Sequence, residues 1–173
     1  MKVKARWING VAASSLVLLA TVGVSAAHGQ AKETIARGGG TTIIHGGTGS
    51  PGFVPVITII AFHAARSGNS LSGSFECLAE APEAGTGSKS AQFTVNAMYV
   101  TGQISGASVS GDTATLTGTA NITGLGAGSN VHFTFVVQKG GPGATSTLTV
   151  DTLPATSFHE ILLQGSFEVA GEN

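Results

Sequence analysis

Five histidines, one cysteine and nine acidic residues carry whatever acid–base, nucleophilic or metal chemistry this chain can perform. His28, His45, His63, His132 and His159 stand far apart, with no H-x-H or H-E-x-x-H pair among them. A zinc site needs three or four converging ligands, and this spacing nominates none. Cys77 is the lone cysteine and alternates in phase with Leu71 and Phe75. A catalytic thiol needs an activating neighbour, and its sequence neighbours offer none, so Cys77 reads as a small buried hydrophobe. The acidic candidates are Glu76, Glu160 and Glu168 in strand-like segments, with Asp112 and Asp151 in or near turns. Glycosidase carboxylates must flank a cleft at a tuned separation, which spacing along a chain does not set. Glu76 and Glu168 read instead as outward charges that keep apolar strands soluble. No G-x-S-x-G elbow precedes a helix. The sequence therefore assigns no catalytic, cofactor-binding or metal-ligating residue. His159 sits beside Glu160 at a strand entrance, and a hydrolase using His and Glu from loops is the weakest of three readings.

The elements that would position these groups begin after an export signal. Lys2, Lys4 and Arg6 precede the apolar run Val11–Val24, and small residues follow at Ala26, Ala27 and Ala31. That tripartite pattern predicts a secretory signal peptide over 1–31, cut between 26 and 31. The apolar run is too short and soft to span a bilayer core of roughly 30 Å comfortably. No second apolar stretch of spanning length follows. Loss of Lys2, Lys4 and Arg6 leaves five basic against nine acidic residues, about −4 with histidine neutral. The remaining Lys32, Arg37, Arg66, Lys89 and Lys139 are scattered, so no basic stripe is present to track a nucleic-acid backbone.

Residues 32–173 suffice for one domain with a hydrophobic core. An odd, single cysteine excludes a disulfide framework within the chain, so the fold must stand on packing and hydrogen bonds. From Thr41 onward, period-2 alternation is broken repeatedly by glycine-rich turns, the pattern of an all-β meander. Val131, Phe133, Phe135 and Val137 share one face, with His132, Thr134, Val136 and Gln138 on the other. Ala114, Leu116, Gly118, Ala120 and Ile122 face inward behind the outward threonines 113, 115, 117 and 119. The same reading turns Phe93, Val95, Ala97 and Tyr99 inward. About nine strands are expected: 41–45, 54–63, 70–79, 92–101, 103–109, 113–122, 131–139, 146–151 and 160–169. Residues 32–40 read as a mobile lead-in and 80–90 as the longest loop. Ser110-Gly-Asp-Thr113 makes a tight hairpin turn. Gly73, Gly118 and Gly165, at inward positions, favour a mostly antiparallel sheet closing into a small barrel or strongly curled sandwich.

Several segments, namely Gly38-Gly-Gly-Thr41, Leu71-Ser-Gly-Ser-Phe75, Val109-Ser-Gly-Asp-Thr-Ala-Thr-Leu-Thr-Gly-Thr-Ala120, Phe133-Thr-Phe-Val-Val137 with Gly140-Gly-Pro-Gly143, and Gly165-Ser-Phe-Glu-Val169, carry a resemblance. The chain resembles the small secreted bacterial domains called post-COAP, although it lacks their aromatic and histidine-rich first hairpin. The resemblance implies a β fold and secretion, and it brings no established activity.

Absences narrow the function further. Trp7 lies in the signal, which leaves Tyr99 as the single large amphipathic ring for sugar stacking. Aromatic girdles of an outer-membrane barrel are missing. The leading expectation is a secreted, non-enzymatic interaction or structural module that meets an extracellular protein or surface component. The alternative is a small barrel that holds an apolar ligand among Phe75, Phe93, Phe133, Phe135 and Phe167, with room left by Gly73, Gly118 and Gly165.

Overall fold

Eight antiparallel strands, each paired with its neighbours in sequence order, form the computed structural model of the chain, which describes residues 32–44, 56–82 and 93–170. They are β1 (Glu33–Ile44), β2 (Ile57–Ser67), β3 (Ser70–Pro82), β4 (Phe93–Ser110), β5 (Thr113–Gly124), β6 (Gly128–Gln138), β7 (Thr145–Val150) and β8 (Ser157–Val169). β8 pairs back onto β1, so the sheet closes into a barrel and leaves no long edge to template aggregation. Between the two expected architectures, the barrel is the one formed. The paired residues Ala36, Ala64, Gly73, Ile104, Gly118, Phe133 and Val150 lead around the wall to the Ser157 end of β8. Ala36 itself pairs with Val169 at the opposite end of β8. That stagger is the shear that tilts strands and allows closure.

The expected nine strands become eight because 92–101 and 103–109 are one strand. A register shift between Ile104 and Gly106 bends β4 without ending it. Residues 33–40, expected as a mobile lead-in, belong to β1. Their Gly38-Gly-Gly40 run lies between β2 and β8, bonded through backbone groups that need no side chain. Likewise β3 runs on to Pro82, into the segment expected as a loop; residues 83–90, and residues 1–31 expected as a signal peptide, lie outside the described residues.

The alternation in β5 and β6 places Ala114, Leu116, Ala120, Ile122, Val131, Phe133, Phe135 and Val137 in the core, as their period requires. A connected set of rings, Phe167–Phe62–Phe135–Phe75–Phe133, fills the middle of the barrel, with centroids 4.8–5.6 Å apart. Spacings of this size suit edge-on and offset aromatic packing. In β4 the phase is opposite to expectation: Met98 and Val100 are buried and Tyr99 is exposed. Register shifts between Ala79 and Glu80 and between Ala81 and Pro82 change the phase of this strand pair. The side chains of residues 93–95 lie outside the description.

Gly165 also departs from expectation. It sits at φ +116°, where a Cβ would meet the Gly39 carbonyl oxygen at 2.1 Å, and it is exposed. At Gly73 and Gly118 the added carbon would likewise strike the neighbouring strand's carbonyl oxygen, at 2.2 and 1.9 Å. These glycines therefore bring strands together and leave no ligand space.

The two barrel ends differ. One carries the two-residue turns at Gly68-Asn69 and Gly111-Asp112, whose glycines take left-handed φ of 57° and 56°. At this end the 139–144 connection docks on β8 beside the short β7. Gly140 exchanges backbone hydrogen bonds with Phe167, and Gly143 N donates to the Leu162 carbonyl at 2.8 Å. The other end carries the connections that leave Ile44, Pro82, Gly124 and Val150.

Candidate functional site

Near this second end the inward faces of β1, β2 and β8 bring together three polar side chains. Thr42 and Thr58 are direct cross-strand partners. Leu162 pairs with Thr42 on the other side, which makes Glu160, two residues before Leu162, the diagonal neighbour on the same inward face. All three are almost fully enclosed, and Glu160 is only 2% exposed. The Thr42 and Thr58 hydroxyls lie 2.5 and 2.7 Å from Glu160 Oε2 and are hydrogen-bonded to each other. Both contacts fall on Oε2; among the described residues Oε1 makes none.

Burial holds the Glu160 carboxyl above its usual range, and the two threonine hydroxyls oppose that shift only in part. Taking a carboxylate out of water is expensive without a cation, and none of the described hydrogen bonds or ion pairs gives Glu160 one. On neighbouring β3, Cys77 is buried, and burial together with the nearby Glu160 charge pushes its thiol well above the ordinary value. A thiol so placed is protonated and unreactive, in keeping with its reading as a small hydrophobe.

Above this cluster the barrel is hollow. A void of about 70 Å³ is lined by Ile44, Val56, Met98, Leu148 and Phe158, among others, and reaches Thr58, Cys77 and Glu160. By a comparable measure one water needs about 10–15 Å³, so the space admits part of a small organic molecule. Ser146, the cross-strand partner of Glu160 in β7, has a buried hydroxyl without a hydrogen bond. It does not line the hollow.

The other residues with chemical potential are dispersed. His132 is exposed, and His63 is half-buried, opposite Ser74 and Arg37 on the outer wall. His159 faces outward, 3.0 Å from the Thr147 hydroxyl, while its neighbour Glu160 faces in. Period-2 geometry thus puts these two sequence neighbours on opposite faces of β8. His28 and His45 lie outside the described residues. Glu168 pairs with Arg37 at 2.7 Å, both side chains more than half exposed, and Glu76 is exposed. Among the described residues no three His, Cys, Asp or Glu side chains gather as a metal site would require.

Two further surfaces lie on the outer wall. A shallow polar groove of about 230 Å³ runs over β3–β6, edged by Glu76, Thr101, Gln103, Asn121 and Asn130. It is larger than the hollow, but it is open to water and encloses none of these side chains. An apolar row also crosses the wall. Ile161, Ile43 and Ile57 are successive cross-strand partners, as are Ile59, Leu78 and Tyr99. Ile59 is 50% exposed and Tyr99 37%.

Glu160 is a residue whose inward facing the sequence pattern did not supply. A strand running unbroken from 160 to 169 with Phe167 inward would send Glu160 outward. A register shift between Thr41 and Thr42 inverts the phase of β8, so Phe158, Glu160 and Leu162 point in, and so do Phe167 and Val169. The available signal was the glycine at 165 within a strand, which often marks a bulge. Compared with known proteins, the chain matches no family model, no curated protein and no solved structure.

Proposed function

We propose that this protein is an exported, non-enzymatic barrel that holds a small apolar ligand in the hollow around Glu160. One observation carries the reading: an apolar void at one end of an otherwise filled barrel, with a single enclosed carboxyl group in its lining. Binding sites are commonly concave and mostly apolar, with few polar groups to fix orientation, and barrel mouths are a frequent place for them. Export rests on the charged, apolar and small-residue succession of 1–31, and the likeness of the mature chain's strand and turn segments to secreted post-COAP domains points the same way. Alternation alone would put such a ligand among the phenylalanines, but Phe75, Phe133, Phe135 and Phe167 pack with Phe62 in one connected set of rings, and the space lies at the barrel end instead. Native mass spectrometry of the protein recovered from its secreting cells tests the idea. A co-purifying mass of an apolar molecule, lost in Leu148→Trp, supports it. An empty protein that also takes up no added apolar probe sinks it.

The outer apolar row favours a second reading, an interaction module that meets an extracellular protein or surface component. A contiguous apolar patch on a wall otherwise rich in Thr, Ser and Asn is typical of a covered surface. Radical footprinting before and after purification distinguishes it. A covered row protects Tyr99 in the native setting and releases it in the pure protein. Equal labelling in both argues against a partner there.

A further inference from the structure

Resting on the ligand-binding reading, we propose that the hollow selects a slender, neutral apolar molecule whose single polar group is an alcohol hydroxyl, which donates to Glu160 Oε1. Three oxygens, Thr42 Oγ1, Thr58 Oγ1 and Glu160 Oε2, are in mutual hydrogen-bond contact. Each threonine brings one proton. A carboxylate would leave two protons for three contacts, so one pair of oxygens would face each other unbridged. A protonated carboxyl brings the third proton and closes a ring in which each oxygen donates once and accepts once. Burial of Glu160 favours the same neutral form.

Closing the ring decides what remains for a ligand. Oε2 is then used both as donor and as acceptor. Oε1 is the carbonyl oxygen of the acid, an acceptor only, and it has no partner among the described residues. Ser146, whose buried hydroxyl has no hydrogen-bond partner, does not line the hollow and is not offered to a ligand. An ether or ketone would set lone pairs against lone pairs at Oε1, leaving both groups unsatisfied in an apolar space. A carboxylate ligand would add an unpaired charge there, which is costlier still. An alkylammonium ion would draw the proton from Glu160 and open the ring. An alcohol hydroxyl meets Oε1 and leaves the ring closed. The hollow's small volume fits the head of an alkyl chain rather than a polycyclic body.

Calorimetric or ligand-observed NMR titration of the exported protein at pH 7 with four probes tests the selection: 1-hexanol, 1-methoxypentane, hexanoate and hexylammonium. We expect 1-hexanol to bind about tenfold tighter than its isomeric ether, the scale on which losing one hydrogen bond to a buried acceptor is felt, and hexanoate weakest. Glu160→Gln keeps a carbonyl oxygen and retains the preference. Glu160→Leu lacks it and binds alcohol and ether alike. Infrared spectra supply a readout independent of affinity and of whether the leucine variant folds. A protonated-carboxyl stretch, absent from Glu160→Gln, shifts to lower frequency when 1-hexanol is added. Equal affinity for alcohol and ether in the wild type, or no protonated-carboxyl band at neutral pH, overturns the proposal while leaving the ligand-binding reading standing. Failure of every probe to bind overturns both.

Discussion

Glu160 concentrates the unusual chemistry of this molecule, and its ionisation has a stability consequence. Its carboxyl is held above the ordinary value of 4.5 in the fold, chiefly by burial. Between that value and the raised one, the folded chain binds more protons than the unfolded chain. Stability therefore falls as pH climbs through the window, and the loss is complete above the folded value. Glu160→Gln removes the dependence. The variant should be more stable than wild type at pH 8, with the difference vanishing or reversing at pH 4, as read from urea midpoints at the two pH values. A constant difference across pH would mean that Glu160 ionises freely. By contrast, the Arg37–Glu168 pair is exposed on both sides and contributes little.

Strands show how far alternation can be read and where it stops. β5 and β6 keep one phase over the residues read as alternating, and there the inward sets match the pattern residue for residue. Phe133→Ala and Phe135→Ala should each cost about 3–5 kcal/mol, the range for truncating a buried aromatic, whereas His132→Ala should stay within about 0.5 kcal/mol. Chemical denaturation of the three variants checks this. Bulges defeat such a reading because each one inverts the phase beyond it. That is why Tyr99 was expected inside, and why alternation counted back from Phe167 does not bring Glu160 into the core. β1 escaped for another reason: Gly38-Gly-Gly40 has no side chains to alternate, and its place in the sheet is fixed by backbone pairing on both sides. At Gly165 the left-handed φ and the Gly39 carbonyl leave no room for a Cβ. Gly165→Ala should destabilise by about 1–3 kcal/mol, the scale of a forced backbone strain, and thermal unfolding will show it. A neutral outcome would mean that the bulge of β8 relaxes easily. The two segments that begin Gly-Ser-Phe-Glu, at 73–76 and 165–168, share one facing: Phe75 and Phe167 are buried, and Glu76 and Glu168 are exposed.

At the scale of the whole barrel, closure and a phenylalanine-filled middle leave one end with space. The turn-rich end is sealed by tight hairpins and by the 139–144 connection on β8, so the proposed ligand would approach at the end where Ile44, Val56, Ala97 and Leu125 border the hollow. All-β class and barrel closure were legible in the sequence because they follow from period, turn chemistry and the need to bury two-faced strands. The site was not, because it depends on which of three strands are shifted by one residue. Met98 gives the most direct test, being the one methionine beyond Met1 and part of the lining of the hollow. Titrating methyl-labelled protein with 1-hexanol should shift the Met98 and Leu148 methyl resonances in a saturable way, and leave Leu116 and Val137, buried toward the sealed end, where they were. Unmoved Met98 and Leu148 signals, or shifts that appear first at Leu116 and Val137, would contradict a ligand site around Glu160.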